Sequence, residues 1–540
     1  MSQQISVALG LDFGTESVRA VLVDLKGRER GGAVTKYKHG QITKTLPGTQ
    51  TRLPKDFALQ HPEDWMNDAA RAVKGALRKA GIDRRSVISI GVDFTSCTML
   101  PTTADGTPLC LLPKFKKEKF AWPKLWKHHG AQKQTDRMNE VARRRKERWL
   151  KRYGGAIGLE WLFPKILETL DEAPAVYARA DVWLEAGDWY VWQLVGGPAK
   201  DLPRSTCMAG YKALWQGRSG YPSPDYLGAV RPKLRHVVRD KMPGRLLAPG
   251  ECAGELTSEM ARKMGLAPGI PVSAAIIDAH SGVPGAGAAE PGTLVMVVGT
   301  SSCHMLNSTV EKLAPGIAGV VDGGILPGLY GYETGQAAVG DAFDWLRRLV
   351  GHKNFDRLTQ EAAALPPGSD GVLCMDWFHG CRTPLMDGSL RGAFTGLSLN
   401  HEPHHLYRAL LEASAFGLRW NIDTLRDAGV PVKKFVATGG LSHHNPFLVQ
   451  VYADVLGETI TVHPCEQGPA LGAAILGVLA AGKAATGFSS AGAAVRAMAG
   501  TQKGGAHTKA RVVRPDRKTR KEYDRLYVQY RDLAESISKR

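Results

Sequence analysis

The 540-residue sequence predicts an α/β protein built from two similar halves, and three observations carry that reading. Short apolar runs at 7–11, 18–23, 87–92, 271–277, 293–298 and 434–438 alternate with stretches of helical spacing. A hairpin pattern occurs twice: the runs at 7–11 and 18–23 flank a turn with Asp12, Gly14, Thr15 and Ser17, and the run at 293–298 leads through Gly299, Thr300, Ser301 and Ser302 into a second one. Finally, so long a chain exceeds what one hydrophobic core organises. Domains are expected over 1–270 and 271–500, with a basic linker and a C-terminal helix over 501–540.

Taken in order, the opening turn is shaped for an anion. Gly14 lets the backbone approach a ligand, turn amides can point at it, and Asp12 at the strand end suits a hydrated divalent cation. An ordinary hairpin with an acidic turn would carry the same residues. Pro62, Glu63 and Asp64 start a helix that Gly81 ends. The run at 87–92 delivers Asp93, Phe94, Thr95, Ser96, Cys97 and Thr98 to a loop at its carboxyl end, where open α/β sheets place ligands. Residues 111–160 are basic and rich in Trp, helical around 126–140, and read as an insertion or cap on the first domain.

Residues 184–189 and 209–215 read as turns with one strong charge among aromatics, which is either packing or a way of holding a sugar. A short helix follows within 254–271, then a hinge near Gly269. The strand at 271–277 ends at Asp278, before a Gly/Ala-rich helix. The strand at 434–438 ends in a Gly439-Gly440 turn that a phosphate or nucleotide can approach closely, with a helix from Asn445 onward. Tyr523, Leu526, Tyr527, Tyr530 and Leu533 follow helical spacing and dock the last helix on the body; the basic stretch from Lys503 to Lys521 reads as a mobile linker.

Composition narrows the class. The eight cysteines are scattered without a CxxC pair, which argues against a disulfide framework or a zinc knuckle. No secretory signal precedes the first strand and no uninterrupted apolar stretch reads as long enough to cross a bilayer, so a cytoplasmic protein without a membrane partner is expected. A net charge of +18 makes nucleic acid a rival partner. The positive runs read better as solvated faces, however, and no aromatic stacking motif is interleaved with base-reading residues. His401-Glu402-Pro403-His404-His405 satisfies HExxH, but Pro403 sets it at a helix start rather than inside a helix. A dinucleotide fingerprint beginning at Gly285 fails at Glu290, there is no GxxxxGK[ST], and Asn307-Ser308-Thr309 lacks a secretory route.

The turns at Asp12-Phe13-Gly14-Thr15, Gly299-Thr300-Ser301-Ser302 and Thr438-Gly439-Gly440-Leu441 resemble the two phosphate loops and the adenosine loop of the actin-like ATPase superfamily. Gly392 to Leu397, His405-Leu406 and Ala409 to Glu412 fit the second signature of the FGGY carbohydrate kinases. Residues 58–62, 209–215, 331–336 and 376–384 resemble the branch of that family that phosphorylates L-ribulose at its 5-hydroxyl in L-arabinose catabolism. Phe94 departs from the pattern, standing where small hydroxylic residues are common.

The resemblance implies two actin-like (ribonuclease H-like) domains with a cleft between them, ATP and Mg²⁺ as cofactors, and a ketopentose or polyol as the small-molecule substrate. It implies Asp278 as the catalytic base, Ser96, Lys212 and Glu333 with Asp278 around the sugar, and Asp12 holding Mg²⁺ through water. Gly14, Thr15, Gly299 and Thr300 would surround the phosphates, and Gly439, Gly440 and Asn445 the adenosine. Taken singly, Asp278 could be a helix N-cap, Lys212 and Glu333 surface ion-pair partners, and the glycines a plain turn. Another FGGY kinase acting on D-ribulose or xylulose is the nearest alternative. A non-catalytic actin-like scaffold or nucleic-acid binder is the alternative of another class, and a homodimer is compatible with either.

Overall fold

The computed structural model describes residues 5–501, 507 and 509–539. Its first sheet begins with an antiparallel meander, β1 (Val7–Phe13), β2 (Ser17–Asp24) and β3 (Glu29–Lys36), and β4 (Val87–Phe94) then lies parallel to β1. β1 is buried along its whole length, as a central strand covered on both faces must be; β3, carrying Glu29, Arg30 and Lys36, is the half-exposed edge. The helix Pro62–Ala80 buries Trp65, Ala69, Ala72, Val73 and Ala76 at helical spacing against β2 and β3. His61 caps its start, and Gly81, in the left-handed conformation, ends it.

The second sheet repeats this plan. Thr293–Val298 and Ser302–Ser308 form a hairpin, Tyr330–Gln336 continues it antiparallel, and Lys434–Thr438 lies parallel to the first strand. Ile460–Val462 then extends the parallel side. Both sheets thus have an antiparallel third strand, a hairpin and a parallel neighbour in the same spatial order, which agrees with the two hairpins read from sequence.

The boundary expected at 270 falls later. Pro271–Ser273 and Ile276–Ile277 both pair with β4, and Cys252–Glu255 pairs antiparallel with Pro271–Ser273, so all three strands belong to the first sheet. Gly269 therefore joins two strands of one sheet and cannot be the hinge between sheets. The change of sheet lies between Gly285, which ends the helix Asp278–Gly285, and Thr293. Hydrophobic runs alone do not tell to which sheet a strand belongs, because a buried parallel strand looks the same in either.

One helix also crosses back. Gly468–Thr486 is long and apolar enough to cross a membrane by length and composition alone, but Gly482 at φ +77° breaks it, and it lies on β1, β4 and Asp278–Gly285 as a core helix. Its backbone comes so near that a Cβ on Gly10 would stand 2.0 Å from the Ala470 carbonyl oxygen, and one on Gly91 would stand 1.7 Å from that of Ala473.

A third apolar core unites parts of 42–242, including Phe57, Trp122, Trp149, Trp161, Trp183 and Tyr226, so the cap is larger than the 111–160 stretch. Its helix runs over Gln132–Arg144 rather than 126–140. The segments at 184–189 and 209–215, read as turns, are mostly helical: Ala186–Val195 and Thr206–Lys212. The C-terminal helix Arg520–Ser538 packs Tyr523, Leu526, Tyr527 and Tyr530 on the second core as expected, with partly buried Leu533 against it. Part of the expected mobile linker, 503–506 and 508, lies outside the described residues; Arg511–Val513, also within it, is an edge strand of the second sheet.

Candidate active site

Three carboxylates meet at the carboxyl ends of three neighbouring parallel strands. Asp12 on β1 stands directly beside Asp93 on β4, and Asp93 stands beside Ile276. Side chains alternate along a strand, so Asp278, two residues beyond Ile276, returns to the same face. Asp278 is the first residue of its helix rather than the cap, which is Ile277; its Oδ1 accepts the Ala279 N–H at 2.7 Å. Burial, and then the charge of Asp12, push its carboxyl up to about 7, against the opposing pull of the Ala279 N–H and Lys212. Asp12 Oδ2 accepts from Arg19 Nη1 at 2.9 Å.

Asp93 is wholly buried, no donor among the described residues reaches either of its oxygens, and burial, the charges of Asp12 and Asp278 and its contact with the Asp12 carboxyl hold its own carboxyl well above the usual range. The sequence places it on a ligand-facing loop but gives it no role of its own, although a signal is present: Gly10-Leu11-Asp12-Phe13 recurs as Gly91-Val92-Asp93-Phe94. The repeat has a physical cause. Each glycine admits the same helix, each aspartate takes the same place on its strand, and the two phenylalanines stack at 4.7 Å beneath them. Phe94 is therefore a core residue rather than an intruder in a sugar pocket.

A second cluster adjoins the first. Lys212, at the end of Thr206–Lys212, and Glu333, on Tyr330–Gln336, are 7% and 2% exposed and meet at 3.1 Å, so they are no surface pair. Arg382 donates to Glu333 Oε1, and His280 Nε2 lies 3.3 Å from Oε2. Burial, followed by the charges of Lys212 and Arg382, drives His280 well below its ordinary value and keeps it neutral. Burial also lowers Lys212. Glu333 thus faces two cations and a neutral imidazole, and Lys212 and Glu333 come from opposite halves of the chain. Arg382 and His280 were not singled out from sequence. Each stands beside a residue the sequence did flag, but no local spacing joins them.

Around the first hairpin, Gly14 donates its N–H to Ser17 O at 3.0 Å and Thr15 Oγ1 accepts from Trp126 Nε1 at 3.0 Å, so the Trp-rich cap reaches the turn. On the second sheet the turn at Gly299 and Thr300 is tied to the helix Gly340–Leu349: Val339 donates to Thr300 O at 2.9 Å and Gly340 to Gly299 O at 3.0 Å. Gly439 lies beside it with φ +90°, where an added Cβ would stand 2.6 Å from Val298 O. Gly440 is exposed. Asn445 has a structural duty: its side chain accepts from Leu448 N at 3.0 Å as a helix cap and donates to Tyr407 Oη at 3.3 Å. Ser96 is partly exposed on the loop after β4. At the HExxH match, Glu402 and His405 cap the start of Pro403–Asp427 reciprocally.

The chain matches two family models, the N-terminal domain of the FGGY family of carbohydrate kinases over 7–285 and its C-terminal domain over 294–481. It is 46% identical over 494 residues to the ribulokinase of Geobacillus thermodenitrificans, covering 89% of this chain and 87% of that protein. It is 45% identical over 502 residues to the ribulokinase of Anoxybacillus flavithermus, covering 91% and 88%. Among solved structures, xylulose kinase from Rhodospirillum rubrum superposes with a TM-score of 0.79 at 24% identity, covering 98% of this chain and 99% of that one. The paired sheets have the architecture of the actin-like sugar kinases, and the chain belongs to the FGGY family of carbohydrate kinases.

Proposed function

We propose that this carbohydrate kinase transfers the γ-phosphoryl group of ATP to the 5-hydroxyl of L-ribulose. The observation that carries the reading is the buried Lys212–Glu333 pair set beside Asp278. A polar cluster with both charges out of water is suited to a hydroxyl-rich ligand, since each group left unpaired by the wrong epimer costs about 1–3 kcal/mol. The names of the relatives support the same substrate.

In this reading Lys212, Glu333 and Ser96 hydrogen-bond the sugar hydroxyls and turn the 5-hydroxyl toward Asp278. Asp278, ionised above about 7, accepts the hydroxyl proton as the oxygen attacks phosphorus and the bond to ADP breaks. The hydroxyls of Thr15 and Thr300, on the turns that Gly14 and Gly299 open to close approach, hold the phosphates from both sides, and Gly439, Gly440 and Asn445 line the nucleoside. The carboxylates fit a divalent cation: Asp12, Asp93 and Asp278 share one face, and no donor among the described residues reaches either Asp93 oxygen. Asp12 and Asp93 would hold Mg²⁺, which when bound offsets phosphate charge. Closure of the two halves excludes water, which otherwise competes with the sugar as acceptor.

The test is product identity. With MgATP and L-ribulose, ¹³C and ³¹P NMR should show one phosphomonoester coupled to carbon 5. Phosphate on another carbon, or free phosphate alone, would overturn the reading.

A further inference from the structure

Lys165 lies in the helix Leu162–Glu172 of the third core and is fully buried. A buried ammonium ordinarily recovers its lost hydration by pairing with a carboxylate, as neighbouring Lys124 does with Glu168 at 2.6 Å. Lys165 instead donates to two main-chain carbonyls, those of Cys97 at 2.7 Å and Leu125 at 2.9 Å, and among the described residues it forms no ion pair. Cys97 has φ +56°, a left-handed conformation that disfavours any residue with a side chain. An ammonium is the strongest donor a lone carbonyl can receive here, and it is aimed at the strained peptide.

The same loop is pinned from other sides. The Ala186 N–H donates to Thr98 O at 2.6 Å, and the hydroxyls of Thr95 and Thr98 meet at 2.8 Å. Ser96, the only partly exposed residue between Asp93 and Thr98, sits just before the strained position. Among the described residues no hydrogen bond joins Lys165 to Ser96 or Lys212; it acts on the carbonyl of Cys97, the residue that follows Ser96.

We propose that Lys165 is a positioning residue for the sugar: by holding the Cys97 carbonyl it fixes the left-handed turn that presents Ser96 to the sugar pocket, and so sets sugar affinity rather than the rate of phosphoryl transfer. The proposal rests on the reading that a ketopentose binds among Ser96, Lys212 and Glu333.

Lys165→Met keeps the length of the side chain and removes the donor. With wild type and variant assayed side by side by ADP release, the KM for L-ribulose should rise at least tenfold in the variant, with kcat within threefold and the KM for ATP unchanged. Adding Cys97→Gly, which relieves the left-handed strain, should recover at least threefold of the lost KM relative to its own Cys97→Gly control, an effect that a simple packing defect would not produce. If Lys165→Met does not melt cooperatively, Lys165→Gln, which keeps an uncharged and shorter-reaching NH₂ donor, takes its place with a three- to tenfold rise expected. An unchanged sugar KM in a folded variant, or equal losses in sugar KM and ATP KM, overturns the proposal while leaving the kinase reading intact. A wild type that phosphorylates no ketopentose overturns both.

Discussion

Replacing Asp278 by Asn separates its chemical role from its structural cost, because the two effects have opposite signs. The amide keeps the shape and can still accept the Ala279 N–H, but it cannot take a proton. Loss of a general base lowers turnover by about 10²–10⁴, which is ~3–5 kcal/mol of barrier. The stability effect runs the other way. Burial and Asp12 raise the Asp278 carboxyl from 3.8 to about 7 in the folded protein, so ionising it opposes folding. At ~1.4 kcal/mol per pKa unit the bound is about 4 kcal/mol, and water reaching the cleft reduces this to about 1–2 kcal/mol.

The folded pKa is the higher one, so the folded state holds its proton longer. The penalty is absent below 3.8, grows as pH rises toward about 7, and is complete above it. The Asn variant should therefore melt a few degrees higher than wild type at pH 8.5 and at the same temperature near pH 3.8 to 4, if both remain folded there. In wild type the same group should give kcat/KM an acid limb near pH 7. Coupled ADP-release kinetics and differential scanning fluorimetry measure both arms. Turnover within tenfold of wild type, or a lower melting temperature at pH 8.5, would refute the assignment of Asp278 as a partly buried base.

Glu333→Gln removes the charge between Lys212 and Arg382, and the KM for the sugar should rise at least a hundredfold with the KM for ATP nearly constant; two-substrate kinetics decides this. Trp126→Phe deletes the hydrogen bond to Thr15 Oγ1, worth about 0.5–1.5 kcal/mol, so the KM for ATP should rise about three- to tenfold without a matching change for the sugar. Gly439→Ala combines φ +90° with a 2.6 Å approach to Val298 O and should destabilise by about 2 kcal/mol or more, with weaker ATP binding by calorimetry.

The parts of the fold that local pattern controls were legible in the sequence. The two hairpins, the helix ending at Gly81 and the aromatic stripe from Tyr523 to Tyr530 depend on neighbours in sequence, and each is found where the spacing puts it. The sheet to which 271–277 belongs was not legible, because pairing with β4 is a contact across almost two hundred residues of chain. The return of Gly468–Thr486 onto β1 and β4 is likewise long-range, although the small residues at 10 and 91 record it. At the site, Asp12 and Asp278 were visible as carboxylates at strand ends. Arg382, His280 and Lys165 were not, because each acquires its meaning only from a partner that folding brings to it.

The most direct measurement of the central claim is ADP release by the purified protein with MgATP across L-ribulose, D-ribulose, L-xylulose, D-xylulose, ribitol, L-arabinitol and glycerol. The account predicts the highest kcat/KM for L-ribulose, abolished in Asp278→Asn. A higher value for another acceptor would contradict the sugar assignment, and no turnover above background ATP hydrolysis with any of them would contradict the kinase mechanism itself.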